Sequence, residues 1–288
     1  MDTPETAENS NANNKILWHP AFFEAIQLEL DEYRHSLHFV YEYQLTTAPL
    51  RIDVVIIKKT ADIVIKKNIA AIFRKVNLLE YKSPDDNISV KDFYRVYGYA
   101  CLYLTLNNDV DISDLTLTFV ESRKPRELIK HLTKSRNFTI EETMPGIYSV
   151  RGDIIPIQII DNRRLSADEN IWLKDLNNRL GAQQLHRLTK AIAQLAEPER
   201  IQAYFDVIIR ANWEHLQEAL NMSSTAPTMD EILEKVGFTA RWEARGRLEG
   251  EARGKEEIVR NMLNRGFPVE QIAELSGLDV ETIQDLDK

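Results

Sequence analysis

Asp53 and the triplet Glu80-Tyr81-Lys82 are the residues of this 288-residue chain whose types and setting point to chemistry. Asp53 lies within Arg51-Ile52-Asp53-Val54-Val55-Ile56-Ile57 and the triplet within Leu78-Leu79-Glu80-Tyr81-Lys82-Ser83. Both runs read as central strands, yet each carries charge where a buried strand should have none. Residues two apart in a strand share a face, so Glu80 and Lys82 project on one side with Leu78, and Tyr81 on the other with Leu79. Burying unpaired charge costs several kcal/mol, so such groups pair, coordinate a cation or line a cleft. An Asp with a Glu-x-Lys on neighbouring strands is what metal-assisted phosphodiester hydrolysis needs.

The elements around these strands follow from periodicity. Residues 19–33 read as a helix with Pro20 early in it and one apolar face made of Phe22, Phe23, Ile26, Leu30 and Tyr33; Glu29 falls on the rim of that face. Residues 37–46 alternate as a strand with one partly exposed face, and 51–58 follow as a strand apolar on both faces. A polar turn and a short helix over 68–75 lead into the strand 76–83, after which Pro84-Asp85-Asp86-Asn87 is a turn. Residues 90–106 form a long helix that Ser89 can cap, with Asp92 in its first turn. A strand over 115–121, a helix opened by Pro125, and strands over 138–142, 146–151 and 154–160 complete the segment.

From Ser166 the pattern is helical only. Ser166 to Glu169 fits a capping box, and Pro198 opens a long segment through Leu220. Residues 221–227 are a linker by composition. Gly246, Gly250 and Gly254 then recur at every fourth residue of a charged helical tail, a spacing that either lets another helix approach closely or marks a frayed linker. The end of the chain, 258–288, resembles a small helix-turn-helix. Its last helix carries Asp279, Glu281, Asp285 and Asp287, a poor surface for phosphates, so packing or oligomerisation is favoured over DNA reading.

Composition is that of a soluble globular protein, with 43% hydrophobic and 28% charged residues. The single cysteine, Cys101, excludes an internal disulfide framework and a cysteine-built zinc site and reads as a buried thiol. Residues 1–14 are acidic and Asn-rich, read as disordered rather than as a signal peptide, and no apolar run reaches the roughly 18 residues of a membrane span. A cytoplasmic bacterial-style protein without a membrane partner is the expectation. Net charge is -9, which argues against nucleic acid on average. The middle block, 51–150, nevertheless holds 16 Lys and Arg against 13 Asp and Glu. Lys58, Lys59, Lys66, Lys67, Arg74 and Lys75 fall between the two charged strands, either to meet a phosphate backbone or as a solvated lysine-rich loop. On the 90–106 helix Tyr94, Arg95, Tyr97 and Tyr99 could contact nucleotides or be core tyrosines.

The order helix, three strands, helix, strand is an αβββαβ core. With Asp53 on one strand and Glu80-x-Lys82 on the next, residues 15–125 resemble the PD-(D/E)XK nuclease superfamily, whose fold is a restriction-endonuclease-like α/β core with a mixed central sheet. Within it, the chain is similar to bacterial recombination-promoting nucleases, a group that also carries a transposase label, and the Gly-spaced tail is similar to tails in that group. The resemblance implies a nuclease domain over 15–163, a helical extension over 164–222, a linker and charged helix over 223–257 and the terminal module. It further implies that Asp53 and Glu80 bind Mg²⁺ or Mn²⁺, with the Tyr81 carbonyl as a further oxygen ligand, and that Lys82 orients or deprotonates the attacking water. Glu29 of the first helix is a possible fourth member of the metal site. DNA is the implied partner, with Lys58, Lys59, Arg74, Lys75, Tyr94 and Arg95 as contacts and the tail as a route to a homo-oligomer. Two departures are a long link between the charged strands and the lack of a proline before Asp53. The alternative is a catalytically inactive protein that keeps the fold and serves interaction. No competing site stands out: the six histidines lack ligand spacing, and there is no phosphate-binding Gly loop or serine nucleophile motif.

Overall fold

The computed structural model describes residues 16–41 and 54–212, together with residues 215, 259, 262, 263, 268 and 272. Asp53, the N-terminal segment 1–14, the Gly246/Gly250/Gly254 stripe and nearly all of the terminal module lie outside the described residues. The chain divides into two compact units, Met1–Met229 and Asp230–Lys288. In the second, Val259 and Ile272 are buried, and Ile272 N–H donates to the Pro268 carbonyl.

The first unit opens with helix α1 (Trp18–Glu29) and a 3-10 turn over Asp31–Ser36, then strands β1 (Leu37–Val40), β2 (Val54–Lys59) and β3 (Val76–Tyr81). Helix α2 (Val90–Leu106), β4 (Leu115–Glu121), α3 (Arg126–Ser135), β5 (Thr139–Met144), β6 (Ile147–Arg151) and β7 (Ile157–Asp161) follow. Helices α4 (Ala167–Lys174), α5 (Ala182–Ala193) and α6 (Gln202–Ala211) come last. The seven strands form one mixed sheet in the order β1-β2-β3-β4-β7-β6-β5. Its centre, β3, β4 and β7, is parallel, whereas β1, β2, β6 and β5 pair antiparallel on the two flanks.

Every residue of β3, β4 and β7 is buried, which their near-continuous apolar sequences require of strands covered on both faces. On one face Leu78, Leu117, Phe119, Ile157 and Ile159 pack with Phe93, Val96 and Ala100 of α2 and Leu128 and Leu132 of α3. On the other, Phe22 of α1 stacks on Tyr81 with ring centroids 4.5 Å apart. The segment expected as a helical extension packs within the same unit: α4 and α6 both contact α1, and Glu24 of α1 accepts the Tyr204 N–H in the first turn of α6 at 2.7 Å.

Asn77 holds the sheet centre together. Its amide donates to the Ile57 carbonyl of β2 (3.0 Å) and its Oδ1 accepts from the Thr116 hydroxyl of β4 (2.6 Å) and the Arg74 N–H (2.8 Å). Each buried polar atom of that side chain is therefore satisfied.

Three expectations are corrected. The helix expected over 68–75 is only a 3-10 turn, Asn68–Ala70. There Asn68 Oδ1 takes the Ile69 N–H at 2.7 Å and the Gln158 amide takes the Ile69 carbonyl at 2.6 Å, so side chains occupy the groups a helix would use. The capping box at Ser166 does not form, since Glu169 instead accepts from the Asn68 amide at 3.0 Å. Cys101 is exposed rather than buried, because it sits about 100° around α2 from the buried Ala100. Among the described residues no helix is long and apolar enough to cross a membrane.

Gly146, between β5 and β6, has φ +80, and its carbonyl accepts the Asp161 N–H at 2.8 Å. A Cβ there would lie 2.6 Å from the Asp161 carbonyl oxygen. Gly146→Ala should therefore destabilise the unit by roughly 1–3 kcal/mol, read as a lower urea midpoint at unchanged m-value; an unchanged midpoint would refute this account of the turn.

Candidate functional site

β3 presents Glu80 toward α2, and Lys82, two residues on, leaves the strand end on the same side. Lys82 Nζ lies 3.2 Å from Glu80 Oε1 and 3.2 Å from Asp92 Oδ1, and 3.9 Å from Asp86 Oδ2. Arg95, one turn along α2, approaches Glu80 Oε1 to 3.4 Å and forms a close ion pair with Asp92. Glu80 and Asp92 thus interlock with Lys82 and Arg95 where β3 ends and α2 begins, with Asp86 as a third, more distant carboxylate. Asp92 is held by its own helix, where Ser89 Oγ accepts the Asp92 N–H (3.1 Å) and Asp92 Oδ2 accepts the Ser89 N–H (2.8 Å).

The electrostatics follow from burial against pairing. Burial pushes the Glu80 carboxyl above its usual range despite Lys82 and Arg95, which favour the charged form. For Lys82 burial favours the neutral amine, but Glu80 and Asp92 outweigh it and raise the ammonium's pKa. Asp92 goes the other way: burial opposes its charge, yet the bonds from Ser89 and the nearby Lys82 hold its carboxyl below the usual range.

Of the residues expected in a site, the structure brings together Glu80, Lys82 and Arg95. Asp53 lies outside the described residues; it directly precedes Val54, the Cα partner of Glu80. Tyr81 ends β3 with its ring in the α1-side core and its hydroxyl buried without a hydrogen-bond partner. Glu29 is not drawn to this cluster. It lies seven residues beyond Phe22, the residue over Tyr81, which is about 10 Å along a helix. There its buried carboxylate pairs with Lys67 at 2.6 Å and accepts the Leu173 N–H at 2.9 Å, joining α1 to α4.

Lys58, Lys59, Arg74 and Lys75 gather at the other end of the strands. Because β2 and β3 are antiparallel, the link between them sits at the start of β3, where Lys58 is the partner of Val76, four residues from Glu80 and about 13 Å along the strand. Arg74 there donates to the Ser113 carbonyl at 2.6 Å, and Lys75 Nζ lies 3.6 Å from Asp109. Tyr94 turns to α3, its hydroxyl 2.9 Å from His131 Nε2.

A second charged row, absent from the sequence expectations apart from Lys82, continues along the same sheet edge. The Lys82 N–H donates to the Val120 carbonyl of β4 at 2.9 Å, and Glu121, the next residue of β4, is the Cα partner of Asp161 on β7. Both carboxylates are buried. Glu121 Oε2 accepts the Ile88 N–H at 2.9 Å, whereas Glu121 Oε1 and Asp161 Oδ1 have no hydrogen-bond partner. Asp161 lines a cavity of about 770 Å³ walled by Arg123, Lys124, Arg126 and Arg163, at the first turns of α2 and α3. The signal was present in the sequence, since Glu121 and Asp161 each end an apolar strand as Glu80 nearly does. Among the described residues no three His, Cys, Asp or Glu side chains converge as a ready metal cluster.

No protein-family profile, no curated protein and no solved structure matches the chain. The geometry therefore carries the functional argument.

Glu121 gives a pH test. Burial pushes its carboxyl up to about 7 from 4.5; the Ile88 N–H and Arg123 oppose this, and Asp161 and Asp86 add to it. The stability contributed by the protonated, folded form is fully present below pH 4.5 and is lost as pH rises through about 7. Glu121→Gln should remove that loss, leaving the variant about 1–3 kcal/mol more stable than the parent at pH 8 in EDTA. Urea unfolding of both chains between pH 5 and 8 checks it, and parallel pH profiles would refute the shift.

Proposed function

We propose that the chain is a metal-dependent deoxyribonuclease of restriction-endonuclease-like design. The observation that carries this reading is the buried Glu80 carboxylate held beside the Lys82 ammonium at the carboxyl end of a central strand, with Asp53 immediately before the residue paired to Glu80. The donors are hard carboxylate oxygens, which suit Mg²⁺ or Mn²⁺ better than zinc. Asp53 and Glu80, with the Tyr81 carbonyl, would hold the cation. A cation bound there supplies Lewis-acid polarisation of a phosphoryl oxygen and a more acidic water.

The remaining chemistry belongs to the protein's own groups. Lys82, kept as an ammonium by Glu80 and Asp92, stabilises the negative charge that develops on the phosphoryl oxygens and orients the attacking water. Asp92 is a positioning residue that fixes the Lys82 head group from the N-terminus of α2. Arg95, half-exposed beside Glu80, is placed to meet a phosphate. The competing reading, an inactive interaction protein, draws support from the direct pairing of Glu80 and Asp92 with Lys82 and Arg95.

Supercoiled plasmid incubated with the purified chain and Mg²⁺ or Mn²⁺ separates the two. The nuclease reading expects nicking that EDTA abolishes and that Asp53→Ala, Glu80→Gln and Lys82→Ala each reduce by roughly 100-fold or more. Equal nicking by parent and variants, or none with any divalent ion, would leave the interaction reading standing.

A further inference from the structure

We infer that Glu121 and Asp161 form a second divalent-cation site, independent of Glu80, which takes the cation together with a phosphate group held on the arginine wall of the adjoining cavity. The inference does not rest on the nuclease reading and survives its failure.

The pair is dictated by the ladder. Glu121 and Asp161 are Cα partners on adjacent parallel strands, so their side chains leave the sheet on one face from strands about 4.8 Å apart. Both are at least nine-tenths buried, and each retains one oxygen with no hydrogen-bond donor, Glu121 Oε1 and Asp161 Oδ1. Two adjacent buried carboxylates with bare oxygens are costly when both are charged, unless a proton or a cation is taken up between them. The neighbouring side-chain cations do not fill that place: the charge of Arg163 favours ionised Asp161, but its guanidinium makes no ion pair with either acid. Arg123 is spent on the Pro84 carbonyl at 2.8 Å, and Arg164 on Glu142 and Tyr148.

The wall of the cavity has the opposite character from its floor. Arg123, Lys124, Arg126 and Arg163 line a space of about 770 Å³ together with Asp161 and a single further acid, Glu127, and the first turn of α3 enters the same wall. The first N–H groups of a helix have no intrahelical acceptor and favour an anion. Asp161 on the cavity lining, with Glu121 as its partner on the next strand, and guanidinium groups around the space are complementary to a metal phosphate: the cation between the paired carboxylates, the phosphate oxygens on the cation and the arginines. Magnesium-type ions are commonly held in this way, by one or two carboxylates plus phosphate oxygens. Arg123 and Arg163 also border a smaller, adjoining pocket with Arg179 and the buried Ser122 hydroxyl, which has no hydrogen-bond partner. Because Arg123 and Arg163 border both spaces, the second phosphate of a diphosphate would meet the same guanidinium groups.

Mn²⁺ binding to the full-length chain, followed by the electron paramagnetic resonance signal of free Mn²⁺, tests this. Glu80→Gln is the parent, so that the site proposed for the nuclease is disabled. One Mn²⁺ per chain is expected, bound at least about tenfold more tightly when inorganic diphosphate is present. Asp161→Asn in that background should weaken Mn²⁺ at least about tenfold. Glu121→Asp, which keeps the charge and withdraws the carboxylate by one methylene, should do the same. Arg163→Ala should abolish the gain from diphosphate. Mn²⁺ should also raise the melting temperature of the parent but not of Asp161→Asn, a comparison that excludes misfolding as the cause. A parent that binds no Mn²⁺, or an Asp161→Asn variant that binds it as well as the parent does, overturns the site. Mn²⁺ binding that diphosphate does not tighten, or a diphosphate gain that Arg163→Ala leaves intact, overturns the phosphate half.

Discussion

Burial of β3, β4 and β7 on both faces is the constraint from which the rest of the structure follows. A parallel strand with α2 and α3 on one side and α1 on the other has no solvated face on which to carry charge. The polar side chains inside these strands are uncharged and satisfy one another, as Asn77 does with Thr116, and Gln158 with Thr118 at 3.0 Å. Charged side chains occur only where the strands run out, at Glu80 and Lys82, Glu121 and Asp161. The three parallel strands point the same way, so all of these collect along one edge. The N-termini of α2 and α3 open onto the same edge and add N–H donors to it, the arrangement that makes the carboxyl ends of parallel strands the usual place for ligands.

Much of this was legible from residue order, and the failures are instructive. The charged ends of apolar runs identified β3 and its Glu80 and Lys82, and the Ser89 to Asp92 spacing marked the start of α2. That Asp92 also grips Lys82 could not be read, because it depends on where the 83–89 turn brings α2 back against the strand end. Lys58, Lys59, Arg74 and Lys75 were read as near the charged strands because they lie between them in the chain. Antiparallel pairing of β2 with β3 puts that link at the far end instead. Glu29 was read from its angle on a helical wheel, which is correct about its face toward the interior but silent on its position along the axis, where it meets Lys67. Sequence order carries element type and face well, and carries the end of an element at which a loop returns poorly.

The two carboxylate groups on the edge differ in how their charge is met. Around Lys82 the compensation is internal: Glu80 and Asp92 pair directly with Lys82 and Arg95, and Asp92 is fixed further by the helix cap. Around Glu121 and Asp161 the bases stand back on the cavity wall and leave two oxygens bare. A network closed on itself holds its geometry without a ligand, whereas a carboxylate pair with open oxygens gains most from whatever cation enters.

The backbone between β3 and α2 joins the two groups. Ile88 and Ser89 are consecutive, and their N–H groups donate to different carboxylates: Ile88 to Glu121 at 2.9 Å, Ser89 to Asp92 at 2.8 Å. Asp92 in turn holds Lys82, whose own N–H is bonded to β4 one residue before Glu121. The path from Glu121 to Lys82 therefore closes on itself through two peptide groups and one helix cap. The ring ties the Glu121 carboxylate and the Lys82 ammonium to the same backbone at the start of α2, while the Glu121, Asp92 and Lys82 side chains keep the torsional freedom to adjust to a ligand.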